Sequence, residues 1–394
     1  MMKRRVAMVQ SDQDANQPDI SGAAALQDLS VQERAVLDMI IANPFVSQQQ
    51  IADALKLARS TVAAHIVQLT QKGFVLGRGY YLPATKRIVC LGGAVFDRKY
   101  HAHAPLISET SNPVSGYRSH GGVARNVTEN LVRLGVNTGF VSILGDDETG
   151  RAILDHLRVL GVDVSRAIVT TQAPTAEYAA ILGPDNELAL GIADMGIFDL
   201  FKPEMLETIW PHLASADWVF ADCNLPQATL ELLLAKKTGS RFRLAVDTVS
   251  APKALRLPQD LSGVDLLFLN LDEAHSLLRH PAGTPRLTAE QAIGALRERG
   301  VAKIVMTMGA AGVHIGDETG IRHIASVPAQ PVDITGAGDA LISGTLYCLL
   351  NRQELPDAVR TGTLLATLTT ESDASVHPYL SAHFLEANLH RIRN

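Results

Sequence analysis

Apolar residues follow two different rhythms along this chain. Between residues 29 and 82 they recur at helical spacing. In SVQERAVLDMIIAN the positions Val36, Met39 and Ile40 share a face, and Ser30 followed by Glu33 gives a capping box. SQQQIADALKL reads as a second short helix opened by serine. RSTVAAHIVQLTQKG reads as a third, with Val62, Ile66 and Leu69 on one side and Gly73 at its end. FVLGRGYYL then alternates around Gly-Arg-Gly, the pattern of a small hairpin. Residues 1–28 are polar, lack any period and are expected to form a flexible tail.

From residue 87 the pattern is one of short, continuously apolar runs: RIVCLGG, TGFVSILG, DWVFADC, RLAVDTV, DLLFLN and KIVMTMG. Such runs are strands buried on both faces. Amphipathic segments lie between them, for example NVTENLVRLG with Val127, Leu131 and Leu134 in register. Strand alternating with helix predicts an α/β domain over 87–394, a mainly parallel sheet covered by helices. AEYAAILGPDNELALGIADMG breaks the rhythm with two extended runs around Gly-Pro-Asp-Asn, a hairpin expected off the sheet edge as a flap.

Composition narrows the function. The chain has 394 residues, 46% of them hydrophobic, enough for two or three domains with large cores. No run reaches the roughly 20 apolar residues of a membrane span. The basic start MMKRRVAMVQ has no apolar stretch behind it, so a cytoplasmic protein is expected. Cys90, Cys223 and Cys348 lack metal-ligand spacing and read as reduced thiols. The net charge is −6, but residues 1–82 carry 8 Lys/Arg against 7 Asp/Glu, so the acidic excess lies beyond them. Any nucleic-acid role therefore belongs to the N-terminal part.

Three helices and a hairpin over 29–82 resemble the winged helix-turn-helix domains of bacterial regulators. The resemblance implies a third helix that offers Arg59, Ser60, Thr61, His65 and Gln68 to the DNA major groove, with Arg78 in the wing. With 5 Lys/Arg against 3 Asp/Glu in this segment, the electrostatic footprint is thin, and a docking or dimerisation module is the alternative.

The stretch DITGAGDALISG, Asp333 to Gly344, sets small residues and a carboxylate before a helical run. It reads either as an ordinary cap or as an anion cradle, with bare N–H groups facing phosphate beside an acid. Four other stretches at strand ends join it: GGAVFD, ending the first strand with Asp97; HGGVARN, with Gly121-Gly122 at a turn and Asn126 starting a helix; NLDEA; and MTMGAAGV. In open α/β sheets, sites lie at the carboxyl ends of strands.

Residues 87–394 resemble the ribokinase-like carbohydrate kinases, the phosphofructokinase-B family. Gly-Gly-x-x-x-Asn stands at 121–126, Asp-x-Thr-Gly-Ala-Gly-Asp at 333–339, and Asn-x-x-Glu at 270–273. Within the family, GGVARNVTENLVRLG, ADMGI, ADCNL and VDTVSAPK are similar to the pseudouridine kinases. The resemblance implies a ribokinase-like sheet with a small β lid at about 98–118 and 175–193. It also implies ATP-dependent phosphorylation of a sugar or nucleoside hydroxymethyl group, with pseudouridine as substrate and a homodimer as the working unit.

The roles it implies are these. Asp339 is the base, ionised with ordinary acidity, and Thr335, Gly336, Ala337 and Gly338 form an anion hole for the γ-phosphate. Asp97, Gly121, Gly122, Asn126, Asp194 and Asn224 bind the nucleoside. Asn270, Glu273, Thr307, Gly309 and Gly312 line the nucleotide. Glu273 and Asp247 hold Mg²⁺, and Asp333 a monovalent cation such as K⁺. Two departures stand out. Ala94-Val95-Phe96 replaces an expected Asn-x-Asp contact, and TESDASVHPYL lacks the family's cation-binding pattern near the C-terminus. His101, His103, His120 and His377 match no catalytic or metal spacing and read as solvated. A transcription regulator using the kinase fold as a nucleoside or sugar sensor is the rival reading, and a kinase for ribose or another nucleoside is a third.

Overall fold

The computed structural model describes residues 29–43, 46–75, 86–281 and 283–392. The tail at 1–28 and the expected wing hairpin with Arg78 lie outside the described residues. Three helices open the described chain: α1 (Val31–Ala42), α2 (Gln48–Leu55) and α3 (Arg59–Gln71). Ser30 and Glu33 form the expected capping box on α1, and Ser47 with Gln50 forms another on α2. Each box satisfies N–H groups that a helix start leaves orphaned. Val36, Leu37, Ile40, Ile51, Val62 and Leu69 pack into a small core closed by Phe74 and Val75.

This module sits on the larger domain through a contact that only glycine permits. Gly73 has φ +79°, and a Cβ there would lie 1.7 Å from the carbonyl oxygen of Ala214. Beside it the Arg241 guanidinium lies 5.8 Å over the Phe74 ring.

The larger domain is built on an eight-stranded sheet in the order β14-β13-β12-β11-β10-β9-β1-β4. Six strands are parallel: β1 (Arg87–Leu91), β4 (Asn137–Val141), β9 (Trp218–Asp222), β10 (Arg243–Asp247), β11 (Leu266–Asn270) and β12 (Lys303–Thr307). β13 (Val313–Asp317) and β14 (Gly320–Ile324) complete one edge in antiparallel fashion. Alternate residues feed two cores. Val89 and Leu91 face α6 (Pro203–Ala214), α7 (Gln227–Lys237), α8 (Ala251–Ala254), α9 (Leu271–Leu277) and α10 (Ala289–Glu298). Ile88 and Cys90 face α4 (Val123–Arg133), α5 (Glu148–Val159), α11 (Ala337–Leu350) and α12 (Leu355–Thr370). α13 (Ala382–Asn388) packs Leu385 against Leu364 and Leu368. The three cysteines are free and buried. Among the described residues, no helix is long and apolar enough to cross a membrane.

TGFVSILG is two strands rather than one. β4 ends at Val141, and β5 (Ile143–Gly145) pairs with β6 (Ile168–Thr170), the Ile168 N–H donating to the Ser142 carbonyl at 2.8 Å. The lid is a four-stranded sheet in the order β3-β2-β7-β8, made of β2 (Val95–Ala102), β3 (Val114–Gly121), β7 (Glu177–Leu182) and β8 (Leu188–Asp194). It is wider than expected, and Asp97 belongs to it rather than to the end of the first strand. The chain leaves β1 at Leu91 and turns at Gly92, φ +151°, where a Cβ would meet the Asp222 carboxylate at 2.4 Å.

Candidate active site

Asp222, at the carboxyl end of β9, organises the floor of the site. Its buried carboxylate accepts the N–H groups of Gly93 at 2.8 Å, Ala124 at 2.9 Å and Asn224 at 2.9 Å. One side chain thus ties the turn after β1 to the first turn of α4, where an anion is also favoured by the helix dipole. Burial nonetheless pushes its carboxyl above the usual range. The sequence signal for this residue was a carboxylate ending an otherwise apolar run, WVFAD, and it was passed over for Asn224. Asn224 is buried beside it, its Oδ1 accepting from Lys253 Nζ at 2.6 Å.

Above this floor the expected glycines bring backbone and carboxylate together. A Cβ on Gly121 would lie 1.9 Å from Asp97 Oδ2, and one on Gly122, φ +94°, would lie 2.5 Å from the Gly93 carbonyl. Burial pushes the Asp97 carboxyl up to about 6, against the pull of Arg125 and Lys99. Next on α4, Asn126 donates from Nδ2 to Asp339 Oδ2 at 2.6 Å, joining the two signature motifs. Asp339 does not keep ordinary acidity. Burial pushes it up to about 7, with Asn126 and Arg125 opposing and Asp222 and Asp97 adding to the rise.

Asp339 opens onto a cavity of about 200 Å³ shared with Asp247, Asn270, Glu273, Thr307 and Gly338. Thr307 ends β12, while Gly309, φ +57°, and Gly312, φ +96°, shape the turn to β13. One wall is Val249, a β-branched residue held at φ +65° with its N–H on Asp247 Oδ2 at 3.0 Å. Such a conformation costs free energy and marks sites where geometry is imposed by surroundings. No local pattern marks this conformation.

The anion turn is partly as expected. Gly336 caps α11 at φ +80°, and a Cβ there would strike the Ser375 carbonyl at 2.0 Å. Gly338 faces open space. The N–H groups of Gly336 and Gly338 have no hydrogen-bond partner among the described residues, so both are available to an anion. Two of the four expected donors are already used. Thr335 gives its N–H to Asp333 Oδ1 at 2.8 Å, and Ala337 gives its own to the Ile334 carbonyl at 3.3 Å.

The cation assignments fare differently. Among the described residues, no group of three or more His, Cys, Asp or Glu side chains could hold a metal ion. Both Glu273 oxygens are engaged, Oε2 by Thr248 Oγ1 at 2.7 Å and the Asn270 N–H at 2.9 Å, Oε1 by Asn270 Nδ2 at 2.8 Å. Glu273 keeps one lone pair on Oε1 beyond these bonds, so it would meet a metal there or through water. Asp247 is pushed well above the carboxylate range by burial and by the charges of Glu273, Asp339 and Asp222. Such a donor set fits Mg²⁺ brought in with phosphates, which needs few protein ligands. It does not make a cage. Asp333 is already neutralised: Lys99 Nζ, from lid strand β2, lies 2.7 Å from its Oδ2. The ammonium fills the place expected of a monovalent cation.

Other expectations are not brought together. Asp194 is exposed at the end of β8, opposite Glu177, and hydrogen-bonds only the Gly196 N–H at 3.5 Å. His103 is exposed, and the other three histidines are only partly so. His120 packs between Phe96 and His156 with centroids 6.0 and 5.2 Å away, and burial pushes it down to about 4. His377 stacks on Phe384 at 4.5 Å, and His101 is half-buried within β2. On α3, Arg59, Ser60 and Gln68 are exposed and Thr61 and His65 partly so, with His65 Nε2 3.2 Å from Gln32 Oε1.

Comparison with known proteins identifies the families of both domains. Residues 85–381 match the pfkB family of carbohydrate kinases, and residues 29–75 match a winged helix-turn-helix DNA-binding family. The chain is 31% identical over 351 residues to the sugar kinase YeiI of Escherichia coli, covering 89% of this chain and 96% of that one. It is 27% identical over 295 residues to the pseudouridine kinase of the same organism, covering 75% and 93%. Its fold is shared with Arabidopsis thaliana ribokinase, solved with ribose and ATP, at a TM-score of 0.65 and 20% identity, covering 79% and 99%.

Proposed function

Because this chain belongs to the pfkB family of carbohydrate kinases, we propose that it transfers the γ-phosphoryl group of ATP to the 5′-hydroxyl of a nucleoside, pseudouridine in preference to others. The observation that carries the kinase reading is the Asn126–Asp339 pair at 2.6 Å, opening beside the free N–H groups of Gly336 and Gly338. The attacking hydroxyl gives its proton to Asp339 as its oxygen bonds to phosphorus. The bond from phosphorus to the bridging oxygen breaks, and ADP leaves. An Asp raised to about 7 is half ionised near neutral pH and well matched to general-base work. The two N–H groups stabilise the charge that develops on the transferred group. Thr307, Gly309 and Gly312 line the nucleotide, and Asn270 shapes its pocket through Glu273. Asp247 and Glu273 are the residues that would hold Mg²⁺, which would supply neutralisation of the phosphate charge. Asp97 and the Gly121-Gly122 backbone take the ribose, with Asn224 shaping the floor.

The preference for pseudouridine rests on the resemblance to a relative of that name and on a chemical difference. Its uracil is attached through carbon, which leaves an extra ring N–H, and a buried acceptor for that group would discriminate strongly against uridine. ADP release measured with ATP and a panel of pseudouridine, uridine, other nucleosides, ribose and fructose tests this reading. Highest kcat/KM for pseudouridine is expected. Equal or better use of uridine or a free sugar overturns the substrate assignment, and no turnover of any acceptor overturns the kinase.

The N-terminal module extends the proposal to DNA. A single module with so few cations binds weakly, so two copies reading paired half-sites are needed. The outer face of the lid is suited to bring them together. Leu190 and Ile192 lie there, on the side of β8 opposite the Asp97 face, and are 52% and 54% exposed.

A further inference from the structure

Arg125 is a buried cation that the chemistry above leaves without a task. It occupies the first turn of α4 and is 2% exposed. A charge so placed is costly unless it is paired and its donors are used, and here four of the five N–H groups find acceptors. Nε donates to the Gly121 carbonyl at 3.3 Å, and the two Nη groups donate to Glu129, to the His120 carbonyl and to Asn126 Oδ1. Glu129 is buried in turn, and Arg133 Nε at 2.8 Å and His156 Nε2 at 3.0 Å reach it from outside.

The consequence follows from what a guanidinium can do. It donates only and cannot accept. The Asn126 atom that faces it must therefore be the amide oxygen, and the atom left to face Asp339 must be Nδ2. A carboxylate that accepts Nδ2 on Oδ2 presents Oδ1 to the incoming hydroxyl. We propose that Arg125 is a positioning residue for phosphoryl transfer: it fixes the amide orientation of Asn126, and through it the plane of the Asp339 carboxylate, while clamping the carbonyls that end lid strand β3. This rests on the kinase reading above, with Asp339 as base. Lysine could not replace it, since an ammonium lacks the planar fork that reaches a side-chain amide and two carbonyls at once. Electrostatics act in the same direction. Asp339 faces Asp97 from β2, Asp222 from β9 and Asp247 from β10, and Arg125 supplies the opposing positive charge.

The test uses full-length protein carrying Arg125→Lys, Asn126→Ala, or both, with ADP release followed for the best acceptor of the wild type. Arg125→Lys should lower kcat by about 10–100-fold with the KM for ATP changed less than about threefold, the signature of misplaced groups. The acid limb of its kcat/KM profile should move up by roughly one pH unit, which a merely structural role would not produce. Adding Arg125→Lys to Asn126→Ala should cost no more than about a further threefold, because the first acts through the second. Should Arg125→Lys fold poorly, Glu129→Gln loosens the hold on Arg125 while keeping an acceptor; kcat should again fall, whereas the acid limb, freed of a buried negative charge, should move down rather than up. Wild-type kcat in Arg125→Lys, an unmoved acid limb, or fully additive effects would each refute the positioning role. A wild type that phosphorylates no acceptor overturns the kinase reading as well, so the two failures are told apart.

Discussion

Asparagine at position 339 keeps the shape of the side chain and an oxygen acceptor for Asn126 Nδ2, but it removes the charge. Burial raises this carboxyl from an ordinary 3.8 to about 7. Between those values the folded chain holds a proton that the unfolded chain releases. Stability is therefore fully present below about 4 and is lost as pH rises through about 7. At about 1.4 kcal/mol per pH unit, the ionised base costs up to about 4 kcal/mol above neutrality. The residue is partly exposed, so water screens some of this, and about 2 kcal/mol is the working figure. Asp339→Asn should then raise the Tm of nucleotide-free protein by several degrees at pH 8 and by much less at pH 5. The same variant should lose on the order of 10²–10⁴ in kcat, the share of a general base. Thermal unfolding at both pH values, alongside ADP release, measures the two effects on one sample. A Tm gain that does not grow with pH would refute the strained charge, and near-normal turnover would remove Asp339 from the base role.

Gly121→Ala should raise the KM for the nucleoside more than about tenfold and leave the KM for ATP unchanged, since its methyl would displace Asp97 Oδ2 from 1.9 Å away. Unchanged nucleoside affinity by calorimetry would show that Asp97 does not grip the ribose. Arg59→Ala and Arg78→Ala should each weaken binding to the native promoter region and reduce its salt slope by about one, kinase activity being unaffected. A mobility shift with no preference over unrelated DNA would make the module a docking element. Gly73→Ala should loosen that module from α6, read as faster protease cleavage within residues 29–75, because a Cβ has 1.7 Å to the Ala214 carbonyl. Cleavage at the wild-type rate would mean that the contact does not hold the module.

The parallel strands were legible because burial on both faces leaves continuous apolar runs, as in RIVCL and LLFLN, and the glycine-rich turns because each needs a backbone that side chains forbid. Ser30 and Glu33 announced α1 for the same local reason. What stayed hidden depends on partners distant in sequence. Asp222 serves N–H groups some 100 residues upstream, at positions 93 and 124, and no local period marks it. Arg125 hid behind the asparagine of its motif, because its value lies in acceptors gathered from two elements. Asp194, expected at the substrate from ADMGI, stands on the lid face opposite Asp97, because strand register, not proximity to a motif, sets the side on which a lid residue lies. Lys99, more than 230 residues upstream, reaches the Asp333 carboxylate expected to hold a monovalent cation, and no local pattern announces that pairing.

That bridge from Lys99 to Asp333 is a contact whose strength depends on the surrounding salt. It joins the lid to the loop of the phosphate cradle, and its side chains remain 44% and 20% exposed. Charges in such contact with water are screened as the Debye length shrinks from about 10 Å at 0.1 M salt to about 3 Å at 1 M. Salt therefore weakens this tie between the lid and the loop. If departure of the phosphorylated product limits turnover, as lid opening does in many kinetically mature enzymes, added salt speeds that step while weakening the hold on incoming nucleoside. kcat and the nucleoside KM then climb together, and the lid behaves as a latch whose tension is set by the surrounding electrolyte.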